Sequence, residues 1–191
     1  MGRFYRHEDS WDLKNNTNTG RSSSRPPLGL NRGELYLSPY RTEWPALFES
    51  EKKFIASAIG DHIIDIQHVG STSIPGMPAK PILDIGIAVD EFENARTCIE
   101  PLTDIGYSFR GEHGIPRRHY FTRGDPTTHH IHMVEESSDE WTKLIRFRDL
   151  LRADPKLAED YSNLKRDLWE RLPNDRKAYQ AAKAAFIGKV L

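Results

Sequence analysis

Cysteine is almost absent from this chain: Cys98 is the single one among 191 residues. No internal disulfide can form, and a reducing, cytoplasmic compartment is the natural expectation. Cys98 sits within amphipathic helical spacing, where packing is a better expectation than nucleophilic catalysis. Long apolar runs are also missing. None reaches the length of a spanning helix, and the first residues lack the apolar core of a signal peptide, so no membrane is expected. The chain starts Met-Gly, but its sixth residue is Arg6 and not the Ser or Thr of a myristoylation signal. An excess of one charge is the third absence. With 27 basic against 28 acidic residues, the chain lacks the surplus of Lys and Arg that broad nonspecific nucleic-acid binding requires. A local basic face, including one for tRNA, is still open.

What remains is ordinary for a globular domain. At 37% apolar and 29% charged residues, the chain can build one domain with a full core. Residues 1–33 stand apart. They are rich in Asn, Thr, Ser, Arg, Gly and Pro without apolar periodicity, which predicts a disordered or partner-docked arm. Phe4, Tyr5, Trp11 and Leu13 are its candidate contacts in a homodimer.

The densest chemistry lies in HVGSTSIPGMPAKPILDIGIAV, residues 68–89. Residues 63–69 read as a strand ended by Gly70. Glycine lets backbone approach a ligand, and Ser71, Thr72 and Ser73 add clustered donors suited to an anionic phosphate. Pro75, Gly76 and Pro78 make a return turn into residues 81–89, an apolar run that reads as a strand buried on both faces. Asp84 lies inside that run. An ionised carboxylate there needs a cation or a hydrogen-bonded neighbour. A functional site and a structural ion pair with Lys80 or Arg117 are the two readings.

This string, together with HHIHMVE at 129–135 and the helical tail at 141–187, resembles the GrpB-like family over residues 34–191. The resemblance implies an α+β, nucleotidyltransferase-like fold of polymerase-beta type: a mixed β-sheet at 60–136 flanked by helices, with a C-terminal helical segment at 139–190. A related domain occurs fused to dephospho-CoA kinase. In the superfamily pattern a Gly-Ser pair holds nucleotide phosphates, and two carboxylates one residue apart bind two magnesium ions. Gly70 and Ser71 match the pair, and Asp84 matches the first carboxylate. The second position is Gly86, which ligates nothing, and one Asp cannot hold two cations about 3.5–4 Å apart.

Residues 127–135 offer a substitute. Strand alternation puts His130 and His132 on one face. On the implied fold that face adjoins Asp84, so Asp84, His130 and His132 form the candidate catalytic and metal-binding set. Magnesium, manganese and zinc are the candidate cations, and imidazole ligands favour zinc, manganese, iron or nickel over magnesium. Acid–base work, phosphate contact and a plain hydrogen-bonded pair are the competing roles. Lys80, Arg117 and Arg118 join Gly70, Ser71, Thr72 and Ser73 as candidate substrate and phosphate contacts. Lys183 would reach a bound phosphate if the last helix caps the cleft.

The expected activity is transfer of a nucleotidyl or related group from a small phosphorylated ligand or nucleotide. Some fungal proteins of this broad family join aminoacyl groups from tRNA into cyclic dipeptides, so peptide-bond formation is an alternative. A noncatalytic module binding a nucleotide or CoA-like metabolite is another.

Overall fold

The computed structural model describes residues 25–34, 36–172 and 175–191, with the backbone alone at Arg176. Phe4, Tyr5, Trp11 and Leu13 lie outside the described residues. Residues 25–33 are packed on the domain itself. Leu30 is buried and exchanges backbone hydrogen bonds with Thr127, while Pro27 O accepts from the Trp44 indole. Two apolar anchors, Leu28 and Leu30, explain why this part of the expected arm docks on its own chain.

Helix α1, Trp44–Ile59, has Pro45 in its first turn, where a missing N–H costs nothing. Its buried residues are Trp44, Phe48, Glu51, Ile55 and Ile59, spaced three or four apart along one face. Phe54, although apolar, is 44% exposed because the helical period turns it off that stripe. Glu51 accepts hydrogen bonds from Tyr107 Oη at 2.8 Å and Arg123 Nη2 at 2.5 Å, which compensates its burial.

Five strands follow: β1 Asp65–Val69, β2 Leu83–Val89, β3 Ser108–Phe109, β4 His119–Arg123 and β5 His129–Glu135. They form one mixed sheet in the order β1-β2-β5-β4-β3. Only the β2–β5 pair is parallel. The strands are shorter than the apolar runs suggest. At β5, Thr127 pairs with Leu30 and Thr128 N–H bonds to Arg123 O, so the ladder starts only at His129. The helical spacing around Cys98 resolves into a 3-10 turn, Asn94–Cys98, followed by α2, Ile99–Asp104. Pro101 lacks the N–H that a continuous helix would need there, so the α-helix restarts just ahead of it.

The two faces of the sheet differ. Leu83, Ile85, Ile87, Ile131 and Met133 point to α1 and α2 and form the main core with Phe121 and the buried Cys98. Burying each such side chain favours the fold by roughly 1.5–3 kcal/mol. Asp84, Gly86, His130 and His132 point to the opposite face, where three C-terminal helices pack: α3 Asp139–Ala153, α4 Pro155–Arg171 and α5 Arg176–Val190. Ser138 and Asp154 cap α3 and α4 through their side-chain oxygens. The buried positions of α3 are Arg148 and Leu151. Arg148 Nη1 donates to Gln67 Oε1 at 2.7 Å and His68 O at 3.1 Å, so a cation occupies one of the two buried positions of this helix. No helix among the described residues is long and apolar enough to cross a membrane.

Candidate functional site

Register explains why three distant residues meet. Parallel pairing of β2 and β5 sets Asp84 opposite His130 and Gly86 opposite His132. Side chains at these positions share one face. His130 Nδ1 lies 3.1 Å and His132 Nε2 3.4 Å from Asp84 Oδ1. Asp84 is thus bonded to the two imidazoles, and Arg117, the other expected ion-pair partner, instead pairs with Glu93 and Glu135. Although burial raises the pKa of Asp84, hydrogen bonds from His130 and His132 outweigh it and hold the carboxyl well below its ordinary range.

Proton positions follow from what each partner is able to do. Arg118 Nη1 lies 3.2 Å from His132 Nδ1, and a guanidinium only donates, so that nitrogen accepts. In the neutral ring the hydrogen then sits on Nε2 and points at Asp84. At His130 the arrangement is reversed, with Nδ1–H donated to the carboxylate. His130 Nε2 has no hydrogen-bond partner among the described residues, and the residue lines a cleft of about 660 Å³. That volume falls within the roughly 300–1,000 Å³ of small-ligand sites.

Gly70 forms one wall. Its φ of 68° and ψ of −173° are open essentially to glycine alone. A Cβ there would stand 2.5 Å from Asp84 Oδ2. Gly86 is constrained less severely, by its surroundings alone, since a Cβ would lie 3.1 Å from Trp141 Cζ3 and 3.2 Å from Val69 Cγ1. The Trp141 indole of α3 therefore covers the position where the superfamily pattern has a second carboxylate. The residues present do not fit a two-cation site.

Of the remaining sequence candidates, Gly70, Ser71, Thr72, Lys80 and Arg118 line the cleft, while Ser73 and Arg117 do not. Ser73 Oγ donates to Gly70 O at 2.6 Å and closes the turn from within. Arg117 forms ion pairs with Glu93 and Glu135. Thr72, although at the cleft, is 1% exposed and bonds to His68 Nε2 and Ile82 O. Arg118 uses its remaining placed donors on Glu112 O and His113 O, so it is a positioning group more than a ligand clamp. Sequence reading gave no role to Tyr120, whose ring lies 5.4 Å from His130, 5.3 Å from His132 and 4.7 Å from His113. The aromatic in HYFTR was visible, but its face depends on register with β5.

His68 links this site to α1, stacking on Phe48 at 4.7 Å. Burial pushes its pKa down to about 4, with the Arg152 and Arg148 cations adding to the effect against the pull of Asp84. The folded state thus favours neutral His68. Its stabilisation is complete above the unfolded value of about 6.5 and is lost as pH falls toward the folded value, at ~1.4 kcal/mol per unit. Between pH 7 and pH 5 this one group should remove about 2 kcal/mol. Urea unfolding across that range should show a shallower decline for His68→Gln; equal slopes would assign the acid sensitivity elsewhere.

A five-stranded mixed sheet flanked by helices, with a Gly-Ser turn beside a strand carboxylate, defines the class of protein. The chain belongs to the GrpB family, matching the GrpB protein over residues 34–191. It is 35% identical over 170 residues to the glutamate-rich protein GrpB of Alkalihalophilus pseudofirmus, covering 86% of this chain and 98% of that one. A Mycolicibacterium paratuberculosis protein named dephospho-CoA kinase is 32% identical over 181 residues, which span 81% of this chain and 44% of that longer protein. The crystal structure of the conserved protein GrpB from Enterococcus faecalis superposes with a TM-score of 0.75 at 32% identity, covering 81% of this chain and 94% of that one.

Proposed function

We propose that the cleft binds a nucleotide or other small phosphorylated ligand and transfers a nucleotidyl or related group to an acceptor, with His130 as general base. The observation that carries this reading is the Asp84–His130 hydrogen bond at 3.1 Å, with the far nitrogen of the ring left to the cleft. As the acceptor oxygen bonds to the ligand's phosphorus, the bond from that phosphorus to its leaving phosphate oxygen breaks, the leaving phosphate departs with the electron pair, and the acceptor's proton passes to His130 Nε2. Asp84 keeps the ring oriented and stabilises the imidazolium, as a carboxylate does in hydrolase triads. Ser71 and the glycine backbone at Gly70 offer contacts for the transferred group, and Arg118 fixes His132 as a second donor to Asp84.

A second reading has its own support: one ligand atom each from Asp84, His130 and His132 lie within 4.8 Å of one another. A single divalent cation held there would polarise the substrate oxygen. It requires His132 to exchange its tautomer and Arg118 to withdraw. A noncatalytic module is favoured by Trp141 over Gly86 but leaves the open nitrogen of His130 without a purpose.

A thermal-shift panel of nucleotides, CoA precursors and divalent metals separates these readings. The acid–base reading expects a nucleotide or precursor to stabilise the protein without added metal, by ~2.7 kcal/mol at one hundred times its Kd. Stabilisation by Zn²⁺ or Mn²⁺ alone, abolished in Asp84→Asn, would favour the cation site. Silence from every phosphorylated ligand would overturn the proposed function.

A further inference from the structure

The loop between β3 and β4, residues 110–118, carries a ring that the chemistry at Asp84 leaves unused. His113 lies in this loop and lines the cleft together with Tyr120 and His130. Its imidazole stacks on the Tyr120 ring at 4.7 Å, 13° from parallel. Two other histidines among the described residues stack in this way, His68 on Phe48 and His119 on Phe92, and both are buried. His113 is exposed. Neither of its ring nitrogens has a hydrogen-bond partner among the described residues, so the stack ends in an accessible imidazole. The backbone holds it there. His113 has a φ of 47°, a region that residues other than glycine seldom enter. Arg118, itself 5% exposed, donates from Nη2 to His113 O at 3.0 Å and to Glu112 O at 3.2 Å. At the base of the loop, Arg110 N–H donates to Tyr120 O and Tyr120 N–H to Gly111 O. Arg118 also contacts His132 through Nη1, and its Cζ stands 4.8 Å from the centre of the Tyr120 ring. One buried cation thus ties the loop bearing His113 to the strand bearing His130 and His132.

We infer that His113, backed by Tyr120, is a stacking platform for a planar aromatic group of the ligand, such as a nucleobase. The inference rests on the cleft being the ligand site and narrows its ligand to a phosphorylated molecule that carries a planar ring. A flat group laid on the accessible face of His113 extends the existing stack without moving the loop. Stacking asks for a π face and not for a particular pattern of donors, so the platform selects aromatic over aliphatic ligands more strongly than one base over another. The Tyr120 ring also lies 5.4 Å from that of His130, which puts the platform beside the proposed base.

The test is isothermal titration of the full chain with adenosine monophosphate, adenosine and ribose 5-phosphate. His113→Asn removes the ring but suits the same backbone region, since Asn, like His, is enriched there. It should weaken adenosine monophosphate and adenosine by about 5- to 150-fold and leave ribose 5-phosphate unchanged. His113→Phe keeps a ring and should bind adenosine monophosphate about as tightly as wild type. Equal weakening in His113→Asn and His113→Phe would overturn the platform in favour of a hydrogen-bonding or proton-transfer role. Equal weakening of adenosine monophosphate and ribose 5-phosphate would overturn it in favour of a phosphate contact. Adenosine binding that depends on His113, with no gain from the phosphate, would uphold the platform and count against the phosphorylated ligand alone. Ribose 5-phosphate binding, with adenosine monophosphate no tighter and indifferent to His113, would overturn the platform and leave the proposed function standing. Absence of adenosine and adenosine monophosphate binding at millimolar concentration would overturn the platform whatever ribose 5-phosphate does.

Discussion

Gly70→Ala should both destabilise the protein and disable the cleft. At φ 68° and ψ −173° an alanine occupies a region costing up to about 3 kcal/mol. Its Cβ, placed 2.5 Å from Asp84 Oδ2, must also displace the carboxylate. For a domain of this size 3 kcal/mol corresponds to a fall in Tm of roughly 6–12 °C. Gly70 and Asp84 both line the cleft, so the added methyl and the displaced carboxylate encroach on the ligand's space and ligand stabilisation should disappear as well. Gly76→Ala is the matched control, because Gly76 has φ 75° but nothing within 4 Å of its Cβ position. It also puts a side chain at positive φ and should keep ligand binding. Equal loss of binding in both variants would mean that the turn, and not contact with Asp84, is what matters.

The second large effect concerns Asp84 itself. Asp84→Asn preserves shape but removes the charge that orients His130, and its amide hydrogens compete with the ring N–H groups. If the acid–base account holds, turnover should fall by about 10³–10⁴, the scale seen when a triad carboxylate becomes an amide. Stability should change by no more than about 2 kcal/mol, since Asp84 is 31% exposed and water can replace part of what is lost. His130→Gln should match this loss of turnover. His132→Gln should cost less, because His132 acts through Asp84 and not on the ligand. Equal defects at both histidines would favour the single-cation reading, in which each supplies a ligand. Stabilisation by the ligand should persist in Asp84→Asn, because the binding donors remain.

Convergence of Asp84, His130 and His132 was legible in part: alternation puts His130 and His132 on one face, while the neighbouring strand bearing Asp84 came from the resemblance and its parallel register only from the structure. The strand-turn-strand around Gly70 was legible because glycine and proline mark chain reversals locally. Discrimination among like residues was not. Arg117 and Arg118 are adjacent, and only register against β5 sends Arg118 to His132 and Arg117 to Glu93 and Glu135. Ser71 and Ser73 have the same chemistry, yet closing the turn consumes the Ser73 hydroxyl. The absence of a carboxylate at Gly86 was plain, but its packing reason needed Trp141 from another element. Lys165 was the least visible. It is buried beside Tyr161 and Leu168 of α4, and only its contact with the Pro78 carbonyl and its place in the cleft wall distinguish it from them.

The central claim is that Arg118, His132, Asp84 and His130 form one directed hydrogen-bond chain ending in an open nitrogen. Long-range ¹H–¹⁵N correlation of the histidine rings in the metal-free protein at about pH 8 reads the tautomers directly. The account predicts His130 protonated on Nδ1 and bare on Nε2, with His132 protonated on Nε2 and bare on Nδ1. Protonation of His130 on Nε2, or of both its nitrogens, would contradict it and remove the proposed base.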